Sequence, residues 1–373
     1  MRILALEPYY GGSHKVFVEG WSTVSKHNWT IFKLPPYKWK WRMRHSAITF
    51  AEQVNQCVTE GQEWDVTFCS DMLNMAEFLG LAPQAVQKLP AIVYFHENQL
   101  TYPVRFESER DYQFAMTNMT TVLAATSVWF NSAFHRDSFL DALAAFLIKM
   151  PDCRPTEAVE LIRGKSLIFP PGINAIGRCG ERKSGPLRIL WAARWEHDKN
   201  PEDFFEALKI LKARGIDFRV SVIGEQFRQV PEVFEWAKQY FVEHIDRWGY
   251  LEHRSEYENA LKDADVFVST AKHEFFGISA VEAGLAGAYP IVPKRLAYPE
   301  IMGLGREEGT EDFFYDGSVA ALADRLIVLA ERVGKDCMWG KDADRLVKLM
   351  ERYKWDSLGS VLDEGVEKIA KRG

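Results

Sequence analysis

The stretch over residues 266–293, V-F-V-S-T-A-K-H-E-F-F-G-I-S-A-V-E-A-G-L-A-G-A-Y-P-I-V-P, carries two carboxylates eight positions apart, Glu274 and Glu282. His273, Phe275, Phe276 and Gly277 stand beside the first of them. The pattern predicts a buried strand over 266–269, a short loop holding His273 and Glu274, a helix entered at Gly277, and a second strand over 289–292. Were residues 274–282 all helical, the two carboxylates would lie about 12 Å apart along the axis. That is too far to serve one bond, because the paired carboxylates of a glycoside hydrolase lie roughly 5–9.5 Å apart. Two carboxylates bracketing a helix N-terminus, whose free N–H groups and dipole attract phosphate, suit a long ligand with a polar group at each end and a phosphate between. A nucleotide-sugar has that shape. In a chain with 52 acidic residues the spacing alone does not decide the matter, and an ordinary strand-helix-strand unit with surface glutamates is the competing reading.

Other clusters fall where a strand should end. Arg194 and Lys199, in W-A-A-R-W-E-H-D-K-N-P, lie on a strand-helix turn and can clamp a diphosphate, guanidinium as a bidentate fork and ammonium as a point charge. Gly11 and Gly12, in Y-Y-G-G-S-H, let backbone approach a phosphate or sugar without a Cβ in the way, though a glycine pair also serves plain turn geometry. His96 opens the cluster His96-Glu97-Asn98-Gln99 and reads as a cleft residue, with Ser70-Asp71 and Asn131-Ser132 at neighbouring strand ends as further candidates for an acceptor pocket. Glu225, which follows one later strand, and Tyr250 and Leu251, which end another, are expected to face a nucleotide base, and Tyr298-Pro299-Glu300-Ile301 is expected to close a cleft. In P-P-Y-K-W-K-W-R-M-R-H an extended backbone would put Lys38, Lys40, Arg42 and Arg44 on one side and Trp39, Trp41 and Met43 on the other. Cations for phosphates and flat rings for unpaired bases are what looped RNA requires. A solvated edge strand with its tryptophans packed inward, or contact with anionic lipid, would use the same residues.

The elements that must position these groups are strand-helix units. Apolar strands are predicted over 3–7, 30–34, 66–70, 91–96, 127–131 and 166–170, and again over 188–192, 219–224, 247–251, 265–269 and 290–292. Alternation of short strands with helices implies parallel sheets covered on both faces. G-R-C-G-E-R-K-S-G-P at 177–186 is the best linker. The expected architecture is therefore α/β with two Rossmann-like domains and a ligand cleft between them: 1–176, the linker, 187–350, and a helical terminal segment 351–373. Residues 139–150 are strongly apolar and read as a buried helix. The 373 residues and 47% hydrophobic content suffice for two cores. No apolar run reaches the 18 residues of a membrane span, and the N-terminus reads as a strand rather than a signal peptide. Five scattered cysteines indicate neither disulfides nor zinc, and a reducing cytoplasm is the natural compartment. A net charge of −6 excludes a generally basic nucleic-acid binder, which makes the local cluster at 38–44 more informative.

The Glu274/Glu282 segment, with Phe276-Gly277 between, resembles the E-x7-E signature of family 4 retaining glycosyltransferases, and Arg194/Lys199 resembles their R-x4-K pair. By that resemblance the fold is GT-B, Glu274 holds the donor sugar, Glu282 the ribose, the glycine loop faces the donor, His96 lies near the anomeric carbon, and the final helix crosses back to the first domain. Glu97 departs from the family's usual His-Asp. The strings Tyr10-Gly11-Gly12-Ser13-His14-Lys15, Lys38-Trp39-x-Trp41-Arg42, Tyr94-Phe95-His96-Glu97-Asn98-Gln99-Leu100-x-Tyr102-Pro103, Arg194-Trp195-Glu196-His197-Asp198-Lys199 and Thr270-Ala271-Lys272-His273-Glu274-Phe275-Phe276-Gly277 together are similar to the tRNA-queuosine α-mannosyltransferase family over nearly the whole chain. The resemblance implies transfer of mannose from GDP-mannose to the cyclopentenediol of queuosine at the wobble position of an aspartate tRNA. His14, Lys38–Arg44, Asn98 and Gln99 would then contact the acceptor RNA, and His273 and Phe275 the donor. No Asp-x-Asp pair sits where a metal would bridge a diphosphate, so transfer without metal or other cofactor and without membrane insertion is expected. A glycosyltransferase acting on a lipid or envelope polysaccharide is the nearest alternative; a non-catalytic nucleotide-sugar or RNA-binding module is another.

Overall fold

The computed structural model describes residues 1–104, 110–177, 185–227, 229–335, 338–339 and 344–371. It forms two units, Met1–Gly172 with Trp355–Gly373, and Ile173–Lys354. Residues 178–184 of the expected linker lie outside the described residues.

In the first unit β1 (Arg2–Glu7), β2 (Asn28–Lys33), β3 (Val66–Ser70), β4 (Ala91–Phe95), β5 (Ser127–Phe130) and β6 (Ser166–Ile168) make a six-stranded sheet in the order β2-β1-β3-β4-β5-β6. Every pairing is parallel. The strands β3, β4 and β5 are buried at every position, as a sheet covered on both faces requires. Alternate residues feed two cores: Leu4, Leu6, Cys69, Val93, Phe95 and Phe130 join one. Ile3, Ala5, Phe68, Ile92, Tyr94 and Trp129 join the other. Because the chain leaves β1 for β2 on one side and reaches β3 on the other, the crossovers diverge between β1 and β3. That divergence opens a crevice at the strands' carboxyl ends, where open α/β sheets bind ligands.

The terminal helix Trp355–Ala370 covers the second of those cores, with Trp355, Leu362, Val366 and Ile369 packed beneath the sheet. Buried Asp363 fixes it: its Oδ1 accepts from Trp21 Nε1 (2.9 Å) and Ser25 Oγ (2.7 Å), its Oδ2 from Lys26 N (2.8 Å). A Cβ at Gly20 or Gly172 would fall within 2.5 Å of the Trp355 ring, so glycine is required for that close approach. Asp363→Ala strands the indole N–H and is expected to lower unfolding free energy by roughly 1–3 kcal/mol. Asp363→Asn, which keeps an acceptor for Trp21, should lose less in the same urea titration.

In the second unit β7 (Leu187–Ala192), β8 (Phe218–Ile223), β9 (Ile245–Gly249), β10 (Val266–Val268), β11 (Tyr289–Pro293) and β12 (Phe314–Tyr315) lie in the order β12-β11-β10-β7-β8-β9, again all parallel. This is the dinucleotide-fold order, with its divergence between β7 and β10. The strand β12 escaped the sequence pattern because two residues carry no periodicity. The strand expected over 247–251 starts two residues earlier, beside an irregularity in the β8 pairing at Val220/Ser221. The apolar stretch beginning at Phe139 belongs to a helix, Ala133–Ile148, with Phe139, Leu140, Leu143, Phe146 and Leu147 buried.

One local expectation is overturned. Residues 39–44 are not extended: α2 (Trp39–Thr59) begins at Trp39, after Lys38 in the left-handed region. The helical period of 3.6, not two, therefore decides which side chains face solvent.

Candidate active site

At the divergence in the second unit, the loop after β7 meets the loop after β10. Lys199 is buried and its Nζ donates to His273 O (2.8 Å) and Glu274 Oε2 (3.3 Å), with Asp198 Oδ2 at 3.2 Å. Thr270 Oγ1 donates to Lys199 O (2.9 Å) and accepts from Trp191 Nε1 (3.2 Å), which ties the two loops together. His273 is pushed down to about 4, by burial first and then by the Lys199 charge, so its imidazole is neutral. Arg194 lies on the same turn, its Nη1 3.3 Å from Glu196 Oε2. Behind Glu274 and the buried Phe275 and Phe276, Gly277 opens the helix Ile278–Ala286 at φ 95°, which favours glycine. A Cβ there would lie 3.0 Å from the Tyr298 ring. Because the helix begins only at Ile278, Glu274 stands in the loop and the all-helical 12 Å separation from Glu282 does not apply.

Glu282 sits in the second turn, buried, and both of its oxygens are engaged: Oε1 with Arg254 Nη2 (2.8 Å), Oε2 with Tyr257 OH (2.6 Å). Arg254 and Tyr257, on the helix Arg254–Asp263, carry no motif of their own and were missed by sequence reasoning. Only the fold brings that helix against Glu282. Burial, then the Glu282 charge, holds the Tyr257 hydroxyl well above its ordinary value, so it donates. Glu225 is exposed and its carbonyl accepts from Trp195 N (2.9 Å); Tyr250 is exposed and Leu251 half-buried just beyond β9. Tyr298 is buried with its hydroxyl 2.7 Å from Ser269 Oγ, a packed support rather than a closing flap.

At the divergence in the first unit, Glu7, Ser70, Asp71 and His96 end or follow β1, β3 and β4, and His14 rises from α1 (Gly12–Val24) to meet them. Buried Glu7 takes Ser70 Oγ (3.0 Å) and Tyr9 N (2.8 Å) on Oε1 and faces His14 Nδ1 (3.2 Å) with Oε2. The His14 and His96 rings lie 4.0 Å apart at 32°. Asp71 Oδ1 accepts from His96 N (2.9 Å), and burial pushes the Asp71 carboxyl up. Ligand atoms of Glu7, His14 and His96 lie within 4.8 Å of one another, the set among the described residues that could hold a cation. Gly11 packs against Pro36, and Gly12 adopts φ 51° with open space around it. Asn98 is buried and its Oδ1 accepts from Leu100 N and Thr101 N, so its side chain shapes the loop after β4 rather than reaching outward. Gln99 is half-buried, its N–H donating to Asn118 Oδ1 (2.8 Å).

Comparison with known proteins follows the same division. Residues 2–173 match the family model described as tRNA-queuosine alpha-mannosyltransferase N-terminal, and residues 178–345 that of glycosyl transferases group 1. The chain is 40% identical over 311 residues to the tRNA-queuosine alpha-mannosyltransferase of Drosophila melanogaster, covering 80% of this chain and 81% of the relative. The chain belongs to the tRNA-queuosine alpha-mannosyltransferase family. Among the solved structures that share its fold, one is sucrose-phosphate synthase from Thermosynechococcus elongatus, with TM-score 0.70, 14% identity and all of both chains covered. Another is Anabaena HepE in complex with UDP, with TM-score 0.67, 13% identity, and 99% and 100% coverage. This is the GT-B arrangement of two parallel α/β sheets.

In this queuosine mannosyltransferase family member the cation-aromatic tract adjoins the Glu7/His14 cluster. Met43, Met72 and Phe114 form a small core with Tyr9 and Trp39, so the start of α2 packs on the residues that follow β1 and β3. Lys38, Lys40, Trp41 and Arg44 are exposed, and Trp39 is half-buried. Arg42, expected among the outward cations, is buried: its Nε donates to Pro35 O (3.1 Å) and its guanidinium covers the Tyr37 ring at 4.5 Å. Trp41, expected to offer its ring to a base, is 61% exposed, with its ring 4.9 Å from that of His45. Glu7, also missed, had a signal in sequence: it is the one charge at the carboxyl end of an otherwise apolar strand.

Proposed function

We propose that the protein transfers mannose from GDP-mannose, with retention, to the cyclopentenediol of queuosine at the wobble position of an aspartate tRNA. The observation that carries the reading is the Lys199–Glu274 pair beside the free N-terminus of the helix Ile278–Ala286, at the β7/β10 divergence of a chain of this family. Arg194, Lys199 and the helix N–H groups supply positive potential where a diphosphate leaves, a preorganised stabilisation that needs no solvent rearrangement. Glu274 orients the sugar hydroxyls. Glu282 receives the ribose, exchanging its contact with Arg254 or Tyr257 for ribose hydroxyls. As the acceptor oxygen bonds to the anomeric carbon, the bond from that carbon to the diphosphate breaks, and the departing phosphate takes the acceptor's proton.

We propose transfer without a metal. Of the two pairs with Asp-x-Asp spacing, Asp342/Asp344 falls partly outside the described residues, and Asp263/Asp265 lies before β10, at the amino end of the sheet, where Asp263 pairs with Arg247 (2.6 Å) and Asp265 accepts from Arg188 N (2.7 Å). We also place the protein in the cytoplasm, where its tRNA substrate is; no described helix is long and apolar enough to cross a membrane.

The test incubates the purified protein with queuosine-containing tRNA and GDP-mannose, with UDP-glucose in parallel, followed by nucleoside mass spectrometry. Hexose added to queuosine with GDP-mannose alone supports donor and acceptor together, and Glu274→Ala should abolish it. Unmodified queuosine with either donor, from a protein that still binds one of them, removes the RNA reading. The exposed tract offers a second check: Lys38→Glu, Lys40→Glu and Arg44→Glu combined should weaken tRNA binding without sequence preference. The slope of log K against log salt should then flatten by about two to three units. An unchanged slope would take these residues out of the RNA interface.

A further inference from the structure

Between Glu19 and Glu52 the chain carries six lysines and arginines and no acidic residue, although its net charge is −6. Tyr37 and Trp41 stand within that stretch, 58% and 61% exposed. One buried side chain lies behind both. Arg42 covers one face of the Tyr37 ring with its guanidinium at 4.5 Å and donates from Nε to Pro35 O (3.1 Å). Its Nη1 meets His45 Nε2 at 2.8 Å; a guanidinium only donates, so that nitrogen accepts, and Nδ1–H donates to Thr49 Oγ1 (2.9 Å). The His45 ring, fixed in this way, lies 4.9 Å from that of Trp41 at 31°. Each aromatic ring is therefore held on one face from within and offers the other to solvent.

The same segment adjoins the loop that follows β1. Tyr10 N donates to Leu34 O (2.9 Å), and the turn at Pro35-Pro36 is so close to Gly11 that a Cβ there would strike the Pro36 ring. Lys38, at φ 55°, then turns the chain into α2, whose Trp39 and Met43 pack with Tyr9, Met72 and Phe114. Exposed Lys38, Lys40 and Arg44 are interleaved with the rings along the chain.

We propose that Tyr37 and Trp41 are stacking surfaces for two unpaired nucleobases of the acceptor RNA, one on either side of the nucleotide that receives the sugar, and that Arg42 is the positioning residue that holds both rings. This rests on the RNA acceptor reading given above. A loop base stacked between its neighbours is held inside the loop. Moving those neighbours onto aromatic rings offsets the stacking they give up, and leaves the central nucleotide splayed out beside the residues that follow β1. Every base has a π-face, so these contacts tolerate any sequence, while the interleaved cations take the phosphates. Rings locked on one face suit stacking, which needs a fixed plane; a lipid interface needs none.

The test measures affinity for a synthetic anticodon stem-loop RNA. Tyr37→Ala and Trp41→Ala should each weaken binding about tenfold. The slope of log K against log salt should keep the parent's value, because stacking releases no counterions. That separates the rings from Lys38, Lys40 and Arg44, whose loss flattens the slope. Stem-loops with an abasic site on one or the other side of the acceptor nucleotide supply the second arm. One abasic site should weaken the parent about tenfold and leave Trp41→Ala unaffected, and the other should pair in the same way with Tyr37→Ala. Arg42→Lys keeps the charge but not the planar fork, and should weaken binding at unchanged slope in the parent while adding nothing to the Tyr37→Ala/Trp41→Ala double variant. A purely structural role would lower affinity in both backgrounds alike. Ring variants that bind within about twofold of the parent, or that lose affinity equally for intact and abasic stem-loops, overturn the proposal. With a parent that still binds and modifies tRNA, the acceptor reading stands in that case. Rings needed for binding to phosphatidylserine vesicles but not to RNA overturn it too. A parent that binds neither the stem-loop nor queuosine-containing tRNA removes both readings.

Discussion

Lys199→Ala is expected to lower kcat/KM for transfer by about a thousandfold, equivalent to roughly 4 kcal/mol of transition-state stabilisation. The ammonium sits at 2.8 Å from His273 O and 3.3 Å from Glu274 Oε2, and so holds the loop that carries the carboxylate proposed to orient the sugar. The same charge faces the departing diphosphate in the proposed reaction. Removing it leaves the Asp198 and Glu274 carboxylates without their shared cation, which repels that diphosphate as well as freeing the loop. Lys199→Arg should recover little, because a planar guanidinium does not fit a buried site built around a compact ammonium. Measured GDP-mannose affinity separates the two contributions: a loss confined to KM would make Lys199 a ground-state binder only. Activity within tenfold of the parent, from a chain with an unchanged melting temperature, would remove Lys199 from the reaction.

Gly224→Ala should be the most damaging single methyl in the second unit. Gly224 directly follows β8 at φ 156°, and a Cβ there would fall 1.7 Å from the carbonyl oxygen of Ala193, a backbone atom that cannot rotate away. The loops after β7 and β8 must therefore part, and with them Ala193 N→Ile223 O (3.1 Å) and Trp195 N→Glu225 O (2.9 Å), which keep Arg194 in place. Together with the strained backbone, the expected loss is about 3–5 kcal/mol of stability. Urea denaturation and nucleotide binding measured together check it: near-parent stability with intact GDP-mannose binding would mean the loops need not touch. Gly12→Ala is the control. It is strained only by its own φ of 51°, with no atom within 4 Å of the added carbon, and should cost no more than about 1–2 kcal/mol.

The sequence by itself determined the class of the fold, because fully buried parallel strands read as short apolar runs and the helices between them as amphipathic stretches. Strands at 66–70 and 91–95 could be read almost residue by residue for that reason. It also suggested the donor-side candidates Arg194 and Lys199, and Glu274 and Gly277, since each pair is local: within each, a strand end, a turn and a helix entry lie within a dozen residues of one another, and spacing carries the chemistry. The sequence did not show which strand ends are neighbours. Hydrogen bonding in the order β2-β1-β3 and β10-β7-β8 joins loops far apart in the chain, and brings Glu7 to Ser70, Lys199 to Glu274, and Arg254 and Tyr257 to Glu282. Nor did it show the conformation of residues 38–44. A charged-aromatic alternation satisfies period two on paper. Packing of Met43 against Met72 and Phe114 makes the segment a helix, and that turns Arg42 inward and Trp41 outward. Local pattern fixes what an element is, whereas the partners of a charged side chain are set by contacts distant in sequence, and those exist only once the chain is folded.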